Sequence, residues 1–166
     1  MIVINLLKQL KNVFHFLMDF EAKMDLKDLY RQLIMDHYKS PRNKGLVENK
    51  EYVSIPLDNP SCGDEIVVQI LIRDNRLIDI RHEGKGCSIC CSSSSIMSET
   101  LKNKSIREAQ EISYEFYEFL KGSPYNENLL DGDVLAYQGI RNFPARIKCA
   151  SLAWKALEKG IGGKSE

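Results

Sequence analysis

Cys62, Cys87 and Cys149, with Asp64 two residues after the first, are spread over three distant stretches of a 166-residue chain. Whether they meet decides what the chain can fold into. Brought together, three thiolates and a carboxylate make a tetrahedral metal site, soft enough for zinc, copper(I) or iron–sulfur chemistry and carrying one hard, exchangeable oxygen. The separations of 25 and 62 residues between successive cysteines match no local zinc motif. Read from the residues alone, these thiols stand about equally as metal ligands and as inert core cysteines.

Each position has its own local chemistry. Asn59-Pro60-Ser61-Cys62-Gly63-Asp64 is a run of turn formers that cannot continue a strand and exposes the Cys62 thiol at a loop tip. Cys87 follows Glu83-Gly84-Lys85-Gly86, whose glycines allow close backbone approach. It opens a helix-compatible segment over 88–102, where unpaired N–H groups and the helix dipole favour a thiolate. Cys149 lies one turn inside a helix that Pro144 starts. Such a donor set carries more negative charge than a divalent ion neutralises. Arg146, three residues before Cys149 on the same helix face, is the candidate supporting cation.

Hydrophobic periodicity organises the rest. Leu26, Leu29, Tyr30, Leu33 and Ile34 form a helical stripe ended by Ser40-Pro41. Alternation at Val53-Ile55-Leu57, at Ile66-Val68-Ile70-Ile72 and around Leu77–Ile80 predicts three short strands, the last two joined by a turn at Arg73-Asp74-Asn75-Arg76. Pro56 suits an edge strand. Ile106, Ala109, Ile112, Phe116, Phe119 and Leu120 mark another helix, closed by Gly122, and Ile147, Ala150, Trp154 and Leu157 the last, closed by Gly160. The expected class is α+β: a small antiparallel three-stranded sheet with helices packed on one face.

The chain is long enough for one domain with a sizeable core, at 43% hydrophobic and 28% charged residues. Lys plus Arg equals Asp plus Glu at 23 each, so no global field draws nucleic acid. No apolar run reaches the length of a membrane span. Five cysteines without a secretory segment point to the cytoplasm rather than to a disulfide framework. Residues 1–23 read either as a misassigned start upstream of Met24 or as an extension. As an extension, Leu6, Leu10, Val13, Leu17 and Phe20 would make an amphipathic helix over 2–21 that binds a membrane surface or a partner. The expected domain covers 24–160, followed by a tail over 161–166.

Leu29-Tyr30-Arg31-Gln32-Leu33-Ile34-Met35-Asp36-His37-Tyr38-Lys39-Ser40-Pro41-Arg42-Asn43, the Cys62 loop and Gly86-Cys87-Ser88-Ile89 resemble the IscU-like family of iron–sulfur assembly proteins. Phe143-Pro144-Ala145-Arg146-Ile147-Lys148-Cys149 and Trp154-Lys155-Ala156-Leu157 resemble its zinc-binding SufU branch. The scaffold branch has a histidine immediately before its last cysteine and a chaperone-recognition segment upstream. Here Lys148 precedes Cys149 and that segment is missing, while 115–133 matches an extra stretch of the SufU branch. The resemblance implies that Cys62, Asp64, Cys87 and Cys149 hold zinc, that Cys62 accepts persulfide sulfur, and that Arg146 supports the site. It implies a sulfurtransferase-like accessory of a SufS-type cysteine desulfurase, feeding a downstream iron–sulfur assembly complex. The alternatives are a scaffold carrying a [2Fe–2S] cluster, and zinc acting only as a staple of the fold.

Other residues have plainer expectations. His37, near the end of the first helix, is expected to pack or to complete the helix terminus, and His82 to be a solvated strand end. Ser92 to Ser95 fit a helix of small residues against which another helix packs closely. Tyr114, Phe116, Tyr117 and Phe119 are expected to be core with an exposed edge. Gly84-Lys85-Gly86 is too short for a phosphate loop. Cys90 and Cys91 replace small non-thiol residues of the family. Three and four residues past Cys87, they are expected on its helix face, either as packing or as a second sulfur or disulfide station.

Overall fold

The computed structural model describes residues 25–162 and, ahead of them, Leu10. The expectations for residues 1–23, and for most of the tail, lie outside the described residues. The described chain runs α1 (Leu26–Lys39), β1 (Val53–Asn59), β2 (Asp64–Arg73), β3 (Arg76–Lys85), α2 (Ser88–Leu101), α3 (Ile106–Lys121), a 3-10 helix (Gly132–Ile140) and α4 (Pro144–Gly160).

The sheet is an antiparallel meander in the order β1-β2-β3. Pro56 sits on the edge strand opposite Val67, where a missing N–H breaks no interior ladder. Asp74 and Asn75, both at positive φ, form the two-residue turn between β2 and β3, the geometry whose twist matches the flanking strands. Ile66, Val68 and Ile70 alternate inward along β2 and, with Ile55, Leu77 and Ile80, give the sheet its core face. α4 packs across β1 and β2, and α2 across β3.

α2 is the centre of the helical layer, touching α1, α4, β3 and the 3-10 helix. Ser92 to Ser95 are all fully buried. Their small side chains let the α4 backbone come close enough for Ser93 Oγ to donate to the Ala150 carbonyl at 2.6 Å. Trp154 Nε1 in turn donates to Ser93 Oγ at 3.1 Å, and its ring stacks on Phe116 with centroids 4.2 Å apart. The aromatic stripe of α3 divides as expected, with Phe116 and Phe119 in the core and Tyr114 exposed. Ser105 and Glu108 close a reciprocal capping box at the start of α3, and Gly122 ends it in the left-handed conformation.

Trp154→Ala removes the largest fully buried side chain and the hydrogen bond it donates to buried Ser93. The expected loss is about 3–5 kcal/mol, read as a lower urea midpoint.

Candidate metal centre

Two consecutive backbone devices create the centre. After β1 the chain turns through Pro60 to Gly63. Cys62 N–H and Gly63 N–H both donate to the Asn59 carbonyl, at 3.2 and 2.9 Å, and Gly63 takes φ +70 before Asp64 re-enters the sheet. Cys62 is thereby exposed at the tip, while Asp64, paired across the ladder with Asn59, is buried. After β3, Gly86 passes directly over the Asp64 carboxylate. A Cβ built on Gly86 would fall 2.5 Å from Asp64 Oδ1, so no side chain fits there. Cys87 follows as the N-cap of α2, its sulfur accepting the Cys90 N–H at 3.4 Å.

Asp64 joins the two devices. Its Oδ1 accepts the Cys87 N–H at 2.9 Å and its Oδ2 lies 2.9 Å from Cys62 Sγ and 3.9 Å from Cys87 Sγ. Cys149, one turn into α4, brings its buried sulfur to 3.3 Å from Cys62 Sγ. Donor atoms of Cys62, Asp64 and Cys149 all lie within 4.8 Å of one another. Cys87 borders this cluster with its sulfur turned to the helix cap.

Burial alone would raise the Asp64 pKa, but hydrogen bonds from Cys62, Cys149 and the Cys87 N–H outweigh it, and the carboxyl is held below its ordinary value. Cys149 moves the opposite way. Burial, then the hydrogen bonds to Asp64 and Cys62, push its thiol well above its usual value, so without a cation it stays protonated. Three sulfurs and one oxygen are the donors zinc accepts, and any cation bound there must displace the Cys149 proton.

The remaining residues singled out in the sequence have other partners. Arg146 is exposed on α4, its guanidinium carbon 4.6 Å over the Phe143 ring. His82 is not a solvated strand end. It is buried and its Nε2 donates to the Arg42 carbonyl at 2.7 Å, because the segment after α1 folds over β3; burial lowers its pKa. Two positions after Ile80, it continues the inward face of the strand, a signal present in the sequence. His37 packs as expected, fully buried between Ser95 and Asp133. The two additional thiols separate. Cys90 is buried in the hydrophobic core, whereas Cys91 is half-buried with its sulfur 3.7 Å from the Gly86 carbonyl.

The sequence profile described as "NifU-like N terminal domain" matches residues 29–163. The chain belongs to that family. A relative in Bacillus subtilis (strain 168), named "Zinc-dependent sulfurtransferase SufU", is 44% identical over 144 residues, 87% of this chain and 95% of its own length. An iron-sulfur cluster assembly scaffold protein IscU of Streptococcus pyogenes serotype M1 is 36% identical, over 84% of this chain and 87% of its own. Among solved structures, a putative iron-sulfur cluster assembly scaffold protein for the SUF system from Fervidobacterium islandicum superposes with a TM-score of 0.70 at 32% identity. That match covers 78% of this chain and 93% of the other. The NifU-like fold is therefore the α+β arrangement that the periodicity predicts, and the expected kinship with SufU holds.

Gly86→Ala forces the Asp64 carboxylate out of place. Metal retention is expected to fall by about 10-fold or more in a chelator competition, in line with the loss of a group that orients a ligand. Gly139→Ala, where an added Cβ meets nothing within 4 Å and the backbone is not left-handed, should leave retention unchanged. In metal-free protein, burial also raises the Cys90 thiol. Cysteines of the unfolded chain ionise near pH ~8.5 while folded Cys90 and Cys149 do not, so folding stability is complete below that pH and declines as pH rises above it. Urea midpoints at neutral and alkaline pH measure this.

Proposed function

We propose that the chain is a zinc-dependent sulfur acceptor that takes persulfide sulfur from a cysteine desulfurase for iron–sulfur cluster assembly. The observation that carries the reading is the contrast within the cluster: Cys62 is exposed at a loop tip, yet its sulfur lies 2.9 Å from a buried carboxylate and 3.3 Å from a buried thiol. Cys62 and the helix-cap Cys87 are exposed while Asp64 and Cys149 are buried, so Cys62 can be reached by a docking partner while the buried pair stays anchored. The 44% identity to a zinc-dependent sulfurtransferase over nearly that protein's whole length supports it.

In this reading Cys62, Asp64, Cys87 and Cys149 hold zinc. The ion, when bound, keeps its cysteines deprotonated and masks them from side reactions. Cys87 joins by turning its sulfur from the helix cap toward Asp64. When the desulfurase docks at the loop tip, the Cys62 thiolate attacks the outer sulfur of the partner's persulfide. A bond forms between Cys62 Sγ and that sulfur, the partner's sulfur–sulfur bond breaks, and the partner's cysteine leaves as a thiolate. Asp64, buried and hydrogen-bonded to the Cys87 N–H, stays in place while Cys62 moves. Arg146 lifts off Phe143 to balance the negative charge around the cluster. The partner is of the SufS type, the sulfur passes on to an iron–sulfur assembly complex, and the setting is the cytoplasm. No helix of the described residues is long and apolar enough to cross a membrane.

The scaffold reading, in which the same donors carry a [2Fe–2S] cluster, draws on the 36% identity to a scaffold protein. Anaerobic purification separates the two. About one zinc per chain and a colourless protein are expected from the closed four-donor set, whereas a brown protein with stoichiometric iron and sulfide selects the scaffold. Cys62→Ala is expected to abolish transfer of labelled sulfur from a desulfurase incubated with cysteine. Transfer at the wild-type rate would assign the acceptor elsewhere.

A further inference from the structure

A second group of metal-type donors stands apart from the thiols. His37 on α1, Glu99 on α2 and Asp133 in the 3-10 helix bring one ligand atom each to within 4.8 Å of one another. We propose that these three residues form a separate cation site for a borderline-to-hard divalent ion of the Mn2+, Fe2+ and Zn2+ class.

The spacing suits such an ion. His37 Nε2 lies 2.8 Å from Asp133 Oδ2 and 3.9 Å from Glu99 Oε2. Ligand atoms ~2.1 Å from a common ion stand ~3.0 Å apart at a right angle and ~3.4 Å apart at the tetrahedral angle, so only the Glu99 side chain has to close in. It is free to do so, being about half exposed at 48%, with Asp133 similar at 43%. The imidazole, in contrast, is fixed. His37 is fully buried, and its Nδ1 lies 2.8 Å from Ser95 Oγ, which also accepts the Arg42 backbone N–H at 2.8 Å. A ligating histidine carries an outer hydrogen bond of this kind on its other nitrogen, and here it aims Nε2 at the two carboxylates.

Proton placement is compatible with both occupied and empty states. Without an ion, ionised Asp133 accepts only, so Nε2 carries the proton and Ser95 O–H donates to Nδ1. With an ion on Nε2, the proton sits on Nδ1 and the serine hydroxyl rotates to accept it. Arg42 competes weakly for the site. Its Nη2 pairs with Asp36 at 2.6 Å and its Nη1 donates to the Ser40 carbonyl at 3.0 Å, leaving Nε 3.9 Å from Glu99.

An independent feature supplies the open side. A groove of about 490 Å³ is walled by Glu99 and Asp133, with Thr100, Asp131, Lys102 and Lys104 also on its wall, so the two carboxylates border open space that leaves room for water in the remaining positions. With no sulfur donor, this set sorts cations differently from the cysteine cluster.

Mn2+ is the discriminating probe, because it favours oxygen and nitrogen over thiolate ligands and its free form is counted by electron paramagnetic resonance. The full chain is first loaded with zinc at its cysteine centre and then titrated with Mn2+ alone. Binding of about one Mn2+ per chain with the zinc retained is expected. Glu99→Gln and Asp133→Asn, both at half-exposed positions, should each weaken binding about 10-fold or more, with the thermal midpoint of the Mn2+-free protein serving as the control for folding. Failure of the chain to take up Mn2+ at millimolar concentration, or equal uptake by both variants, would reduce the group to a histidine–aspartate tie within the fold.

Discussion

The serine face of α2 is the constraint on which the other contacts depend. Its hydroxyls do not merely fill space; Ser94 donates to the Cys90 carbonyl of its own helix, while four others each reach outward. Ser92 meets Tyr137 of the 3-10 helix at 2.7 Å, Ser93 meets α4 through Ala150 and Trp154, Ser95 meets His37 of α1, and Ser98 meets Asn43 in the loop that follows α1. A leucine-rich helix in this place would hold its neighbours further away and specify their rotation less tightly, because apolar packing is less directional than a buried hydrogen bond. With hydroxyls, four elements are fixed about one axis, and the N-terminus of that axis is Cys87. The position of the cysteine cluster is thus a by-product of how the helical layer is locked.

The same logic explains why Asp64 and Gly86 act as a pair. The carboxylate is buried at the end of β2, where it would be costly without partners. It is satisfied by a backbone N–H on one oxygen and a thiol on the other. That requires the β3–α2 connection to pass at a distance which excludes a side chain at position 86. A loop tip, a glycine and a helix start, each ordinary alone, become interdependent once the carboxylate lies between them.

How much of this was visible in the sequence differs by element. The three strands, the turn at Asp74-Asn75, the edge proline and the aromatic core of α3 are written in local periodicity and turn chemistry, and the structure has them. The close α2–α4 approach is foreshadowed by the run of serines. The 3-10 helix is not, because Val134, Ala136, Tyr137 and Ile140 follow neither a 3.6-residue nor a two-residue repeat. The tie between His37 and Asp133 spans 96 positions and leaves no local trace in either neighbourhood. His82 departs from the expected solvated strand end for a related reason: its inward phase is legible, but the Arg42 carbonyl that accepts its hydrogen bond comes from a loop 40 residues earlier. Cys62, Asp64, Cys87 and Cys149 were legible as types of residue but not as neighbours. Local chemistry gave each a plausible thiolate or carboxylate, and only the tertiary structure brings three of their donor atoms together.

Cys62 and Cys149 are 87 residues apart in the chain yet their sulfurs are 3.3 Å apart in space. During synthesis the loop, the carboxylate and the helix cap emerge well before α4. A growing chain therefore holds at most part of the donor set. Arrival of Cys149 and docking of Trp154 are contributed by the same helix, so completion of the cluster coincides with closure of the core. The donor set is therefore complete only once the final helix has been made and has found its place.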